Sequence, residues 1–334
     1  MLTKPFGFEF EGRRYAGLLD LPGGDTAKGL VLLVHGSGRT DVASGSAYKT
    51  LRTRLTGLGF AVYAYDKAGN GNSEGEYNSE QPVQNSAEEA LAAVSELRRQ
   101  DVAGADYLGL WGISRAGWIV PLMLSQDPSL AFWISVSGPG PLSNMEYLLA
   151  SNWQLRGYAP AQIATLLTEW KRGFEIQRSG GSYADYVAAT PSLLEDPLVL
   201  KLRGEYTKAR FQSYQQFLKD NPPIIDKATG LMVFVQDLEA RLQAVRIPVL
   251  AIFGEKDTQV DWRASAALYK ETMGVNAALT VHTLKDCNHF MLICEDCGYG
   301  DQLEKVRRTD TGEVCPGFYS SISAFLSALD PTGR

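Results

Sequence analysis

Tyr107-Leu-Gly-Leu-Trp-Gly-Ile-Ser-Arg-Ala-Gly117 is the stretch on which the fold of this chain turns. An apolar run stops at Gly112, a lone serine stands at 114, and Ala116-Gly117 opens into Trp118–Ser125, which reads as an amphipathic helix. A strand that turns sharply into a helix at a serine is a nucleophile elbow. Small neighbours are needed there because the serine sits in a strained backbone conformation with its hydroxyl pushed out of the sheet. The usual pattern is G-x-S-x-G; here Ala116 occupies the place of the last glycine and Gly117 follows it. Taken alone, the same residues also describe a tight turn with no chemistry, since Gly-x-Ser near a strand end is common by chance.

Outward from the elbow, the chain alternates buried strands with helices. Towards the N-terminus, Phe6–Leu21 alternates apolar and polar residues around Glu11-Gly12, as an antiparallel hairpin does, and hands the chain into Pro22-Gly23-Gly24. Leu30–Val34 is a continuous apolar run of strand length, expected to be buried on both faces of a parallel sheet. His35-Gly36-Ser37-Gly38 follows it as a glycine-rich bend whose backbone N–H groups can face a ligand. Ser46–Leu58 has helical spacing, Phe60–Tyr65 is a second buried strand, and Asp66–Gly75 is a loop by composition. Ser86–Arg99 is a predicted helix with Glu88 and Glu89 in its first turns and Arg98 and Arg99 at its end, matched to the helix dipole. Tyr107–Trp111 is the third buried strand and Phe132–Val136 the fourth.

Beyond Pro139 the rhythm breaks into long helical patterns over Asn144–Arg156, Ala161–Gln177, Tyr183–Ala189 and Leu198–Leu218. Their aromatic residues, Trp153, Trp170, Tyr186, Tyr206 and Phe211 among them, either form the segment's own core or line a substrate pocket, and the core role is the commoner fate of such rings. The sheet resumes at Pro248–Phe253, ending in Gly254-Glu-Lys-Asp257. Ser265–Thr272 is helical, Ala278–Leu284 is another strand, Lys285–Phe290 follows it, and Phe318–Leu329 closes the chain as a helix. The expected fold class is α/β: a mostly parallel doubly wound sheet with an inserted helical cap, residues 1–138 and 244–334 forming the core and 139–243 the cap. In such sheets the chemistry collects at the carboxyl ends of the strands, where both the His-Gly-Ser-Gly bend and Ser114 lie.

A chain of 334 residues with 45% apolar content can bury a large core. Its net charge of −6, with no basic block longer than two residues, argues against a nucleic-acid surface. No run reaches the roughly 18–20 apolar residues of a membrane span, and the first residues lack the apolar stretch of a signal peptide, which points to the cytoplasm. The cysteines pull the other way. Cys287, Cys294, Cys297 and Cys315 all lie in the last fifty residues. They fit two disulfides in an exported, periplasmic or secreted, protein, or free thiols, or a metal knuckle, the last weakened by the lack of a second Cys-x-x-Cys pair.

Among only three histidines, His35 belongs to the bend, His282 lies within a predicted strand and His289 lies in a loop after the last strand. A serine hydroxyl is a weak nucleophile until a base takes its proton, and the base needs a carboxylate to fix its tautomer. Ser114, Asp257 and His289 supply one of each, in that order, at strand ends. Glu255 and Asp261 are rival acids, and Asp257 could instead cap its loop. Asp286, three residues before His289, is placed to cap a turn, and Asp66 and Lys67 to pair with each other behind the site.

These pieces together resemble the α/β-hydrolase superfamily, and within it the serine esterases related to the EstD-type and prolyl-oligopeptidase-like hydrolases. The matching segments are Leu33-Val-His-Gly-Ser-Gly38, Tyr65-Asp-Lys-Ala-Gly-Asn-Gly-Asn-Ser-Glu-Gly75, Gly112-Ile-Ser-Arg-Ala-Gly-Trp-Ile-Val-Pro121, Val136-Ser-Gly-Pro139, Phe253-Gly-Glu-Lys-Asp257 and Asn288-His-Phe290. Ala116, Ala68 and the cysteine-bearing tail depart from the family pattern. The resemblance and the residue chemistry imply the same reaction. Ser114 attacks an ester carbonyl, His289 relays the proton, Asp257 orients His289, and the backbone N–H groups of Ser37 and Arg115 hold the oxyanion. The implied partner is a small-molecule ester, with no cofactor and no metal. The Arg115 side chain either greets an anionic substrate or is solvated surface. Aminopeptidase, amidase, thioesterase or acyltransferase chemistry on the same triad is the alternative, and a non-catalytic ligand-binding protein of this fold is an alternative of another class. A haloalkane dehalogenase would need an aspartate at position 114.

Overall fold

Leu30–Val34 (β3) is buried at every position, and its side chains divide by parity. Leu30, Leu32 and Val34 join one core cluster, while Val31 and Leu33 join another. That is the outcome of the two-residue period of a strand whose two faces are both covered. The computed structural model describes the chain except residues 24–25, 43–46, 276, 296, 300–312 and 330–334.

The hairpin is β1 (Leu2–Phe10) and β2 (Arg13–Leu21). After β3 come α1 (Lys49–Gly57), β4 (Ala61–Tyr65), α2 (Val83–Arg99), β5 (Leu108–Ile113), α3 (Ala116–Gln126) and β6 (Trp133–Val136). A helical stretch follows: α4 (Met145–Leu155), α5 (Pro160–Arg178), α6 (Tyr183–Ala189), α7 (Pro191–Glu195), α8 (Pro197–Arg203) and α9 (Lys208–Asp220). A short ribbon, β7 (Ile224–Ile225) and β8 (Met232–Val233), and α10 (Leu238–Gln243) lead to β9 (Val249–Gly254), α11 (Trp262–Met273), β10 (Leu279–Leu284) and α12 (Phe318–Ala328).

The eight-stranded sheet has the order β1-β2-β4-β3-β5-β6-β9-β10. It is parallel from β4 to β10, and the hairpin joins it antiparallel through β2 and β4. This is the doubly wound, mostly parallel sheet expected. The chain leaves β3 for β4 on one side and returns to β5 on the other, so the loops after β3 and β5 diverge and open a crevice at the carboxyl ends. One core cluster lies under α2, α3, α10 and α11, and the other under α1 and α12.

Several elements differ from the sequence expectation for physical reasons. The helix expected from Ser46 begins at Lys49, and Ser46, like Gly24, lies outside the described residues. Tyr107 sits in a 3-10 turn, Ala105–Tyr107, that feeds β5. Helix α2 starts at Val83, behind Pro82, which places Glu88 and Glu89 in its second turn, and Glu89 is buried instead of serving the helix dipole. Helix α3 is not amphipathic: Ala116 through Met123 are all buried, because α2 and α10 flank it and the sheet lies beneath. The single helix expected over Leu198–Leu218 is broken at Gly204, φ +66°, into α8 and α9. Helix α10 contributes Leu238 and Leu242 to the main core. Trp153, with Leu148, Leu166 and Leu198, and separately Tyr186, Tyr206 and Phe211, form small cores within the stretch from α4 to α9.

Candidate active site

Ser114 follows β5 with φ +55°, a left-handed conformation rare for a residue with a side chain. Two hydrogen bonds lock it there: its N–H donates to the carbonyl of Val136 on the neighbouring strand at 2.8 Å, and its own carbonyl accepts from Gly117 N–H at 2.7 Å. The elbow needs its first glycine for a steric reason. A Cβ at Gly112 would stand 2.6 Å from the methyl of Ala116. The methyl that departs from the usual pattern is therefore housed in the space Gly112 leaves. The Ser114 hydroxyl makes no hydrogen bond to a described residue.

The bend after β3 lies against this turn, so that a Cβ on Gly36 would sit 3.5 Å from that of Ser114. Ser37 is exposed, and neither its N–H nor that of Arg115 is used in a hydrogen bond among the described residues. Both border a cavity of about 230 Å³ whose wall also includes Lys67, Tyr77 and Gln81.

His289 and Asp257 come together. Nδ1 of His289 lies 2.8 Å from Oδ2 of Asp257, and the two residues are 1% and 3% exposed. The other carboxylate oxygen, Oδ1, accepts the N–H groups of Gln259 at 2.7 Å and Val260 at 3.0 Å, which fixes the plane of the carboxylate. The His289 loop is folded by Asn288, a buried residue whose Oδ1 accepts from the N–H groups of Phe290 and Leu292. Ser137 follows β6 with φ +50° and donates its hydroxyl to the His289 carbonyl at 3.0 Å. The same β6 terminus thus holds Ser114 through Val136 and His289 through Ser137.

The rival acids are engaged elsewhere. Asp261 caps α11 through the N–H groups of Arg263 and Ala264, and Glu255 accepts from Thr283. Asp286 pairs with Lys256 at 2.8 Å, which holds its carboxyl below the usual range. His282 lies 2.7 Å from the Ser321 hydroxyl, between β10 and α12. His35 lies with Nε2 2.7 Å from the Tyr65 carbonyl, and burial together with the charge of Lys67 pushes its pKa down to about 3, so the ring stays neutral. The Arg115 guanidinium is half-buried at the wall of the cavity and is held by protein groups. It donates to Ser86 and to the Gln81 carbonyl at the start of α2, and burial lowers its pKa. Lys67 and Asp66 also act differently from the expected pair. Asp66 accepts the N–H groups of Val42 and Asn72, while Lys67 Nζ reaches the carbonyls of Gly36 at 2.6 Å and Gly38 at 2.8 Å.

All four cysteines form disulfides, Cys287–Cys315 and Cys294–Cys297. Of the three states open in the sequence the structure therefore takes the first, and the described residues contain no cluster fit for a metal ion. Both bridges lie beside the His289 and Asp257 loops: Cys287 is two residues before His289, and the Cys297 carbonyl accepts from the Thr258 hydroxyl at 2.8 Å. Helix α4 and the residue before it reach the carbonyls of the Asp257 loop in succession. Tyr147 donates to Asp257 at 3.0 Å, Asn152 to Thr258 at 3.1 Å and Asn144 to Gln259 at 2.7 Å. Sequence reasoning missed this clasp, because polar residues in a helical pattern carry no mark of what they face; it also missed the Ser137 hydrogen bond and gave Lys67 a different partner. No helix among the described residues is long and apolar enough to cross a membrane.

Residues 25–295 match the family model Hydrolase_4, described as serine aminopeptidase, S33. A search of curated proteins finds no match to the chain. Among solved structures, the chain is similar to the esterase Pf2001 of Pyrococcus furiosus, at 13% identity and a TM-score of 0.55 over 98% of this chain and 92% of that one. It is also similar to Est1E from Butyrivibrio proteoclasticus, at 16% identity and a TM-score of 0.50 over 97% of each chain. A third similar structure is the α/β hydrolase GrgF from Penicillium sp. sh18, at 14% identity and a TM-score of 0.52 over 92% of this chain and 96% of that one. At these identities the likeness is one of fold, the α/β-hydrolase fold.

Proposed function

The chain belongs to this serine aminopeptidase S33 family of α/β hydrolases, and we propose that it is a serine hydrolase cleaving carboxylic esters through Ser114, His289 and Asp257. The observation that carries the reading is the buried His289–Asp257 pair, joined through the β6 terminus to a serine held at φ +55°. Asp257 on Nδ1 leaves Nε2 of His289 as the basic nitrogen. Ser114 Oγ attacks the ester carbonyl as Nε2 takes its proton, and the carbonyl oxygen becomes an oxyanion. The unused N–H groups of Ser37 and Arg115 stabilise that charge, with Arg115 opening α3 so that the helix dipole adds to it. Nε2 then returns the proton to the departing alcohol, and a water activated by the same nitrogen resolves the acyl-enzyme.

The cavity beside the proposed oxyanion donors, about 230 Å³, is smaller than the usual ligand pocket and is walled mostly by polar and charged side chains, Glu11, Arg13, Lys67 and Glu76 among them, which suits a small substrate with polar groups. Residues 139–243 are proposed to act as a cap, its helix α4 holding the acid loop. Two disulfides next to the site suit an oxidising compartment, where the protein is proposed to work. The family description names aminopeptidases, so amide cleavage is the second reading.

One panel separates these readings: p-nitrophenyl acetate, butyrate and octanoate, a thioester and an aminoacyl anilide, each with wild type and Ser114→Ala. Ester turnover in the wild type, lost by about 10⁴-fold or more in Ser114→Ala, is expected. Exclusive anilide cleavage would move the assignment to the aminopeptidases. A fluorophosphonate adduct mapped to another serine would remove Ser114 from its role.

A further inference from the structure

The bend that supplies one oxyanion donor is soft by composition, because Ser37 stands between Gly36 and Gly38, and Gly38 has φ +91°. Catalysis by such a donor depends on aim. A hydrogen bond weakens steeply away from linearity, and a donor contributes most when no reorganisation is needed as the charge develops. Lys67 is placed to fix that aim. It follows β4 in the adjacent loop, and its ammonium reaches over the bend to the carbonyls of both glycines, at 2.6 and 2.8 Å.

The Gly36 carbonyl and the Ser37 N–H belong to one peptide unit, which is planar and trans, so the two groups point in opposite directions. Whatever holds the carbonyl on one side fixes the direction of the N–H on the other. We propose that Lys67 is a positioning residue that sets the Ser37 N–H on the oxyanion through the Gly36 carbonyl, and fences the bend from its far side through the Gly38 carbonyl. The contact also has an electrostatic part. A cation on the carbonyl polarises the amide and strengthens its N–H as a donor.

The lysine is itself held in place. Its N–H donates at 3.2 Å to the carbonyl of Thr40, just past the bend, and its carbonyl accepts from Asn70 N–H at 3.0 Å within its own loop. The charged and titratable groups around the ammonium are Arg115 at the start of α3, Glu89 on α2 and His35 at the end of β3. His35 stays neutral, and Glu89 offsets part of the Arg115 charge.

The inference rests on the ester-hydrolase reading, and the test keeps the two apart. Lys67→Met preserves the length of the side chain and removes its donors and charge; Lys67→Arg restores both. Each is assayed for kcat and KM on p-nitrophenyl butyrate and for inhibition by a trifluoromethyl ketone, which becomes tetrahedral in the oxyanion site. Lys67→Met is expected to lose about ten- to a hundredfold in kcat with KM little changed, and to lose ketone affinity by the same factor, with Lys67→Arg recovering most of both. If Lys67→Met does not fold, Lys67→Gln takes its place with the same expected order, wild type above arginine above glutamine. An unchanged kcat, a loss confined to KM, or undiminished ketone affinity would overturn the positioning role. Failure of the wild type to turn over any ester, with Ser114 unlabelled by fluorophosphonate, would instead sink the underlying reading.

Discussion

Nδ1 of His289 and Oδ2 of Asp257 meet at 2.8 Å in a site where neither residue is more than 3% exposed. In the proposed mechanism the carboxylate keeps the proton on Nδ1 and leaves Nε2 as the base; with an amide, that preference is lost. Asp257→Asn keeps an oxygen for the Gln259 and Val260 N–H groups, so the loop retains its shape. The variant is expected to lose on the order of 10²–10⁴-fold in kcat, with KM close to wild type. Steady-state kinetics on p-nitrophenyl butyrate, beside a thermal melt to confirm folding, measure it. Activity within a few fold of wild type would remove Asp257 from the site.

The clasp from α4 makes a second expectation. Asn152 is 1% exposed and uses its amide fully: Nδ2 donates to the Leu148 and Thr258 carbonyls and Oδ1 accepts from Tyr299 N–H at 2.6 Å. Asn152→Ala removes the buried amide's bonds to the Thr258 carbonyl and the Tyr299 N–H, at a cost of about 1–3 kcal/mol. Because Thr258 adjoins Asp257, kcat should fall as well, by several fold. Tyr147→Phe removes only one donor, to the Asp257 carbonyl, and should cost about 1 kcal/mol or less. Urea unfolding with parallel kinetics orders the two; an Asn152→Ala protein as stable and active as wild type would show that α4 merely rests on the acid loop.

The strand ends were readable because short buried runs stop abruptly in a parallel sheet, and glycine, serine, aspartate or histidine stands just past each stop. Ser114, Asp257 and the Ser37 bend follow that rule, whereas His289 stands further along the loop after β10, a strand that is not fully buried at any position. The residues that hold them were not readable. Lys67 and Asn152 act through backbone carbonyls, whose positions depend on the tertiary structure, and a lysine in a polar loop reads as solvated surface. Arg115 misled for the same reason, because its partners Ser86 and Gln81 are distant in sequence. Even the break at Gly204 was hidden, since apolar spacing continues across it from Leu198 to Leu218.

The Cys287–Cys315 bridge spans 28 residues and its first cysteine begins the His289 turn. Closing a loop of that length restricts the unfolded chain by about 3–4 kcal/mol. The double variant Cys287→Ser with Cys315→Ser is expected to unfold at correspondingly lower urea concentration, and a reducing agent, which opens both bridges, to bring the wild type to that midpoint or slightly below it. The Cys294–Cys297 bridge encloses only three steps of chain and should contribute less. Equal midpoints for the wild type with and without reductant would mean that the bridge does not constrain the chain.

Lys67 also makes the stability of the fold depend on pH in a defined direction. Burial first, and then the charge of Arg115, push its pKa from 10.5 down to about 7, with Glu89 acting in the opposite sense. Below pH 7 the lysine is charged in both folded and unfolded chains, and the fold bears the full cost of burying the ammonium. Between pH 7 and 10.5 the folded protein releases the proton while the unfolded chain keeps it, so stability gained from this residue rises with pH across that window. Lys67→Met has no such proton to lose. The urea midpoint of the wild type, taken relative to that of Lys67→Met at pH 6, 8 and 10, should therefore move upward at each step. The deprotonated amine still has two N–H donors for the carbonyls of Gly36 and Gly38, so the bend keeps its clamp as the charge is released. A difference that stays flat from pH 6 to 10 would mean that the ammonium is solvated in the native protein and feels neither the burial nor Arg115.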